Sequence, residues 1–111
     1  MANISSSNST DVLILITDTV LLNPTAGRAF VSIASLHEQT AAVETLELFI
    51  SSDATSAAGE RIDLLTFAAS ETKSPASLVR GVPSGYYLLG KATNGSRVMA
   101  SLTYTQYSGD A

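Results

Sequence analysis

The chain has no cysteine and no tryptophan, a single histidine, and few charged residues among its 111. Without cysteine it can form neither a disulfide nor a thiolate metal site, so its stability must come from packing, from assembly, or from both. Charged residues make up 14% of the chain, six of them Lys or Arg, and the formal net charge is −4. Because phosphate binding needs clustered cations, this composition argues against nucleic acid as a partner.

Long apolar runs are also missing. The longest run, residues 12–16, ends at Thr17 and Asp18, well short of the ~20 residues that a membrane helix needs. The first ten residues have neither the basic start nor the apolar stretch of a secretory signal. The sequence therefore predicts one soluble domain, made in a cytoplasm, with no membrane partner.

The chain does contain about seven short apolar runs between residues 11 and 107, separated by turn signals and without helical spacing. In residues 43–51, Leu46, Leu48 and Ile50 share one parity, which is typical of a half-buried strand. A helix over residues 40–48 is the weaker alternative, because Ala, Glu and Leu are good helix formers. In residues 60–69 the buried parity is predicted to change after Leu64, so that Phe67 points inward, which indicates a β-bulge.

The end of the chain has the pattern of a β-hairpin. Two alternating runs, residues 85–93 and 96–107, flank Asn94-Gly95. Asn-Gly favours the two positive-φ positions of a type I′ turn, so we expect these runs to pair directly across it.

Together the runs predict an all-β fold, an antiparallel two-sheet β-sandwich that is Ig-like or jelly-roll-like. The sandwich is expected to span residues 11–111, with one strand over residues 11–22 and a short edge run at residues 76–80. Residues 1–10 are Ser- and Asn-rich, and are predicted to be a flexible N-terminal arm with Ile4 as its sizeable apolar contact. Pro75 and Pro83 should block one sheet edge and leave the other available. The predicted core comprises Ile14, Val31, Ile33, Leu46, Leu48, Ile50, Leu64, Phe67, Leu88, Val98, Leu102 and Tyr104.

No cluster of residues suggests catalysis, a metal or a cofactor, and the sequence predicts a protein that is not an enzyme. His37 is expected in a polar loop beside Glu38, where a metal site would need further ligands. Two carboxylate pairs are close in sequence but face opposite sides of their strands, which indicates solvated strand faces: Glu44 with Glu47, and Glu60 with Asp63.

Three tyrosines are candidates for contact with a partner. Tyr86 and Tyr87 are adjacent on a predicted strand, so one must point away from the core, and Tyr107 is out of phase with Tyr104. Exposed tyrosines are suited to protein interfaces or to stacking on a sugar. With Ile4 of the arm, Tyr86, Tyr87 and Tyr107 form the predicted partner-binding set.

Several motifs resemble those of small β-sandwich virion proteins of tailed bacteriophages, over roughly residues 11–107. They are PTAGRAFVSI (residues 24–33), an alternating strand (45–51), ASET (69–72), PSGY (83–86) and LTYTQ (102–106). The chain looks like a capsid decoration protein, also called a cement or staple protein.

This resemblance implies a structural protein that binds the outside of a phage capsid, with the major capsid protein as partner and a homo-oligomeric state. It implies a place on the virion surface after assembly in the host cytoplasm. Two alternatives remain open, a carbohydrate- or receptor-binding module that uses the three tyrosines, and a tail accessory protein.

Overall fold

The structure, a computed structural model, describes residues 4–108 and is built of β-strands in two antiparallel sheets. This confirms the predicted fold class. The strands are β1 (Ile4–Ile14), β2 (Thr19–Leu22), β3 (Ala29–Glu38), β4 (Glu44–Ser51), β5 (Gly59–Phe67), β6 (Thr72–Lys73), β7 (Gly81–Val82), β8 (Tyr87–Ala92) and β9 (Val98–Ser108). Two single 3-10 turns, Ser56–Ala58 and Ala76–Leu78, are the helical elements within residues 4–108.

The order of the strands identifies the topology. One sheet, here the β1 sheet, has the order β1-β9-β3, with the short strands β6 and β7 both on the far side of β3. The β2 sheet has the order β2-β8-β4-β5. Connections cross from sheet to sheet except those from β4 to β5 and from β6 to β7. With β6 and β7 counted as one interrupted strand, this is the double Greek key of a jelly roll.

The inner faces of the two sheets form one apolar core. Most of the predicted core residues are buried in it: Ile14, Val31, Leu46, Leu48, Phe67, Leu88, Val98 and Leu102. Ile50 and Tyr104 are partly buried against this cluster. The sheets approach closely where Ile14 meets Gly90, since a Cβ on Gly90 would lie 3.1 Å from the Ile14 side chain. A larger residue at position 90 would push the two sheets apart there.

Ile33 was predicted to be in the core but is 62% exposed. The register between β3 and β9 shifts between Val31 and Ile33. Because one extra residue reverses the side-chain parity of a strand, Ala34 and Leu36 point inward beyond the bulge and Ile33 points outward.

Leu64 was also predicted to be in the core, and it is 51% exposed. The bulge expected in this strand exists, but it lies at Ile62. Arg61 and Asp63 pair with neighbouring residues of β4, so Ile62 between them has no partner in that strand. The parity therefore changes two residues earlier than predicted, which turns Leu64 outward and keeps Phe67 inside.

The predicted hairpin at Asn94-Gly95 is wrong. The strands that flank it, β8 and β9, belong to different sheets and do not pair. The positive-φ positions among residues 4–108 are Gly27, Ala41, Ser70 and Gly85, so this turn lacks the conformation of type I′. The chain instead crosses from the β2 sheet to the β1 sheet at this point.

Residues 4–10 lie in strand β1, where the sequence predicted a flexible arm. β1 pairs with β9 in one unbroken register, from Ile4 opposite Ser108 to Ile14 opposite Val98. The polar side chains add little to the core, but backbone hydrogen bonds to β9 give these residues an ordered partner. Residues 1–3 of the predicted arm lie outside the described residues.

Two other predicted segments also differ. Residues 11–22 are not one strand, because β1 ends at Ile14 and β2 starts at Thr19 in the other sheet. The Thr19 side chain holds this crossing, since its Oγ1 accepts the Leu15 N–H at 3.0 Å and donates to the Thr17 carbonyl at 2.9 Å. The predicted edge run at residues 76–80 instead begins with the 3-10 turn Ala76–Leu78, which buries Leu78.

We predict that Leu48→Ala and Leu102→Ala each destabilise the protein by about 2–5 kcal/mol, because each removes a buried branched side chain and leaves a cavity. The matched control is Leu64→Ala, which removes an exposed leucine from the same β4–β5 pair and should change stability by less than about 0.5 kcal/mol. Urea unfolding measures all three, and equal losses for Leu48→Ala and Leu64→Ala would contradict the assignment of inner and outer faces.

Candidate functional site

Residues 4–108 enclose no cavity of a size to hold a ligand. In the same range no three His, Asp or Glu side chains come together as a metal site. Nowhere in the described chain is there a helix with the length and apolar character required to cross a membrane. The features that stand out are two buried glutamates at one end, three tyrosines at the other, and the free edge of β1.

Glu38, the last residue of β3, has a fully buried side chain. Its Oε2 accepts hydrogen bonds from the Thr40 N–H at 3.1 Å and the Thr40 hydroxyl at 2.5 Å. Its Oε1 accepts from the N–H groups of Ala42 at 3.1 Å and Ser70 at 2.9 Å. Burial alone would raise the pKa of Glu38, but the Thr40 hydroxyl and these backbone N–H groups favour the anion and lower its pKa to about 2.

Both loops that Glu38 holds contain a residue in the left-handed region, Ala41 at φ 57° and Ser70 at φ 60°. This conformation is unfavourable for residues other than glycine. The carboxylate bonds to Ser70 itself and to Ala42, the residue after Ala41, so it holds the two loops in conformations that the residues alone disfavour.

Glu44, the first residue of β4, is buried in the same way. Four backbone N–H groups donate to its carboxylate: Thr45 at 3.0 Å, Thr93 at 3.2 Å, Asn94 at 2.8 Å and Gly95 at 2.8 Å. Arg97 Nε lies 3.5 Å from Glu44 Oε1, and Arg97 Nη1 donates to the Thr40 hydroxyl at 3.4 Å. The two glutamates therefore belong to one linked cluster, here the glutamate cluster, at one end of the sandwich.

The prediction that Glu44 lies on a solvated strand face is wrong. Its parity is that of Leu46 and Leu48, and this was the available signal, because a carboxylate in phase with buried leucines must point inward. Glu38 gave a weaker signal, since the bulge in β3 had to be located before its parity with Leu36 could be recognised.

His37 and Asp63, two further candidates, have structural partners. His37 lies in β3 and not in a loop; it is exposed, and its Nδ1 is 2.7 Å from the Thr72 hydroxyl. Asp63 accepts a hydrogen bond of 2.6 Å from the Ser77 hydroxyl, which ties the segment of the second 3-10 turn to β5.

The three tyrosines are gathered at the end opposite to the glutamate cluster. Tyr87 lies opposite Ser51, at the far end of β4 from Glu44. Tyr107 lies near the far end of β9, and the Arg28 guanidinium covers its ring at 5.0 Å from the centroid. Tyr86 is 42% exposed.

The connection over residues 23–28 spans this end. The Asn23 amide donates to the Tyr86 carbonyl at 2.8 Å, and the Tyr107 N–H donates to the Arg28 carbonyl at 2.8 Å. The register of β1 places the backbone of Ile4 at the same end, opposite Ser108; the Ile4 side chain lies outside the part that the structure describes. The predicted partner-binding residues therefore share one end of the molecule.

The free edge of β1 is the longest in the described structure. Strand β1 has eleven residues and pairs with β9 alone among the strands of residues 4–108. Residues 5–7 and Ser9 are exposed, and Asn8 and Thr10 are half-buried. The Asn8 amide donates to the Ser6 carbonyl at 3.2 Å and to its hydroxyl at 3.1 Å. Asp11 is the one charged residue in the strand.

The other three sheet edges are protected. Strands β6 and β7 have two residues each, and Pro75 and Pro83 flank them, as the sequence predicted for one edge. Strand β2 has four residues and a register shift. Strand β5 has the bulge at Ile62 and three charged residues, Glu60, Arg61 and Asp63. Short length, proline, charge and bulges are the means by which proteins block unwanted strand pairing.

Comparison with models of known protein families and with curated proteins gives no match. A solved structure of a Bacillus endospore appendage, from a family described as disulfide-linked pili, is similar in fold. The TM-score is 0.55 at 11% identity, over 96% of this chain and 89% of that chain. A pentameric capsid protein from metagenomic phage sequences gives a TM-score of 0.34 at 18% identity, over 90% of this chain and 60% of that one. At these identities the likeness to the appendage protein concerns the fold alone.

We predict that Glu38 makes stability depend on pH in the acid range. Its pKa is about 2 in the folded protein against an ordinary value of 4.5, so its stabilising effect is complete above about pH 5 and is lost as the pH falls toward 2. Glu38→Gln should lower the thermal midpoint at neutral pH, because the amide presents N–H groups to donors. The difference from wild type should shrink between pH 5 and pH 2.

The matched control is Glu60→Gln, which changes an exposed glutamate on β5 and should leave the midpoint close to wild type at every pH. Thermal unfolding followed by circular dichroism across this range measures both variants. A midpoint difference for Glu38→Gln that stays constant down to pH 2 would contradict the assigned role.

Proposed function

We propose that this chain is a non-enzymatic structural protein of a phage virion, which binds the outside of the capsid and reinforces contacts between shell subunits. The observation that carries the proposal is the jelly-roll topology, an architecture of viral capsid domains, on a chain whose motifs resemble capsid decoration proteins. The fold likeness to an appendage subunit over 96% of the chain supports a role in assembly.

The proposed partners are the major capsid protein and further copies of the chain itself. A shell presents the same site many times, so many weak contacts made by linked copies give strong total attachment. The appendage family is described as disulfide-linked, whereas this chain has no cysteine. Its contacts therefore cannot be disulfides, which suits assembly in a reducing host cytoplasm before the particle is released.

The second candidate is a carbohydrate- or receptor-binding module. The observation in its favour is the gathering of Tyr86, Tyr87 and Tyr107 at one end, with Tyr86 substantially exposed. Lectin domains also use the jelly roll, and tyrosine rings combine an apolar face with a polar hydroxyl. Arg28 covers one face of Tyr107, so Tyr86 is the better placed of the three for stacking on a sugar.

We predict that the full-length protein co-purifies with particles of the phage that encodes it, at a fixed number of copies per shell subunit. Added to shells that lack it, the protein should bind to saturation and raise the temperature at which the shells break open, since binding to the assembled state alone stabilises that state. Quantitative gel analysis of purified particles and calorimetry of the shells measure the two effects.

The isolated protein tested against a panel of glycans separates the two candidates. Saturable glycan binding that is lost in Tyr86→Ala and kept in His37→Ala, whose exposed histidine lies on β3, would favour the binding module. Absence of the protein from purified particles would contradict the capsid role.

A further inference from the structure

The four edges of the two sheets differ in whether they can pair with another strand. Three edges carry features that block strand pairing, and β1 carries none of them through residues 4–10. This stretch has no proline, no charge and no bulge, and it continues in one register with β9. A strand edge with unpaired N–H and C=O groups is a template for another strand. An edge of this length that is left open while the others are blocked is suited to pairing.

The charge of the chain indicates which partner would supply a strand to pair with the β1 edge. The molecule has a net charge of −4, so two copies repel each other overall. Residues 5–10 of β1 are Ser, Asn and Thr and carry no charge. Two copies can therefore approach along this edge without bringing like charges together. A partner attracted by charge would find nothing on residues 5–10 to recognise.

The single charge in β1 also favours one arrangement. In antiparallel self-pairing centred on Asn8, each Ser7 faces a Ser9 and each Asp11 faces a Ser5. The two Asp11 carboxylates are then separated by the length of the pairing. In parallel pairing in register, each Asp11 would face the other, and like charges directly opposite are destabilising.

We infer that the β1 edge joins two copies of this chain about a twofold axis, with the β1 strands antiparallel and the two β1 sheets merged into one. Such an interface is isologous, the commonest kind in homo-oligomers, and it closes after two copies. The inference gives an interface to the homo-oligomer proposed above and rests on that part of the proposed function. It requires nothing of the capsid, so its test can fail while binding to shells succeeds, and the reverse.

The test uses two double variants of the full chain, Ser7→Lys with Ser9→Lys, and Ser7→Glu with Ser9→Glu. Both residues are exposed, and both lie opposite hydroxyl residues of β9, Thr105 and Thr103, so the fold should tolerate the changes. In the pairing centred on Asn8, the new charge at position 7 of each copy faces the new charge at position 9 of the other copy. Sedimentation equilibrium of each variant and of an equimolar mixture gives the association constants.

We expect the wild type to be a dimer at protein concentrations of about 0.1 mM, and each double variant to dimerise at least about tenfold more weakly. An equimolar mixture of the lysine and glutamate variants should restore the dimer as a heterodimer, since opposite charges then face each other. Restoration on mixing is a result that mere damage to the fold would not give.

The matched control is Leu64→Lys with Thr66→Lys, which places the same two charges at the same spacing on the exposed face of β5, a protected edge. This variant should dimerise as the wild type does. A wild type that stays monomeric at about 0.1 mM would overturn the inference, as would double variants at β1 that dimerise normally. A monomeric wild type whose attachment to shells is lost in the β1 lysine variant would also overturn it, and would assign the edge to a strand of the shell protein.

Discussion

A jelly roll must send its chain repeatedly from one sheet to the other, and each crossing removes backbone N–H groups from the strand ladders. Here Glu38 and Glu44 satisfy those groups at one end of the sandwich, as acceptors for backbone N–H groups in three separate connections. A buried carboxylate is unfavourable unless its oxygens are filled with hydrogen bonds, and here both carboxylates receive several. In a chain without disulfides, this cluster links segments that are distant in sequence, such as Glu44 and Gly95.

The two ends of the molecule consequently have different characters. At the glutamate end, side chains are committed to internal hydrogen bonds, and the loops adopt conformations that depend on them. At the tyrosine end, aromatic side chains are partly exposed. The open portion of β1 reaches toward this second end. The molecule has dimensions of 50 × 27 × 18 Å, so the glutamate end and the tyrosine end are well separated along its length.

The sequence predicted the sandwich, most of its core and the existence of a bulge in β5, because alternation of apolar residues reports the buried face of each strand directly.

Prediction from the sequence failed where a distant residue decides the local conformation. Asn94-Gly95 has the local preference of a hairpin turn, yet Glu44 binds both N–H groups from about 50 residues away, and the strands on either side part into different sheets. Single-residue bulges are similarly hard to locate, since the extra residue between Val31 and Ile33, like the one at Ile62, depends on the register with the partner strand. The order of residues 4–10 escaped prediction because it comes from backbone pairing with β9, which side-chain composition does not report. The partner-binding role of Ile4, Tyr86, Tyr87 and Tyr107 stays a prediction.

The amount of apolar contact that side chains of β1 make with the core differs along the strand, and this affects how the strand opens. Its inward-facing residues Val12 and Ile14 contact the core, whereas Ser6 and Asn8 toward the other end contribute little apolar contact. Local stability along a strand follows the buried contacts that would be lost on opening. Opening of the strand is therefore expected to begin at Ile4 and to end at Ile14, so that exchange with solvent slows along the strand for those amide hydrogens that bond to β9. A second strand laid along the outer side of β1 would flatten that gradient, because both rows of backbone groups would then be engaged over the whole length.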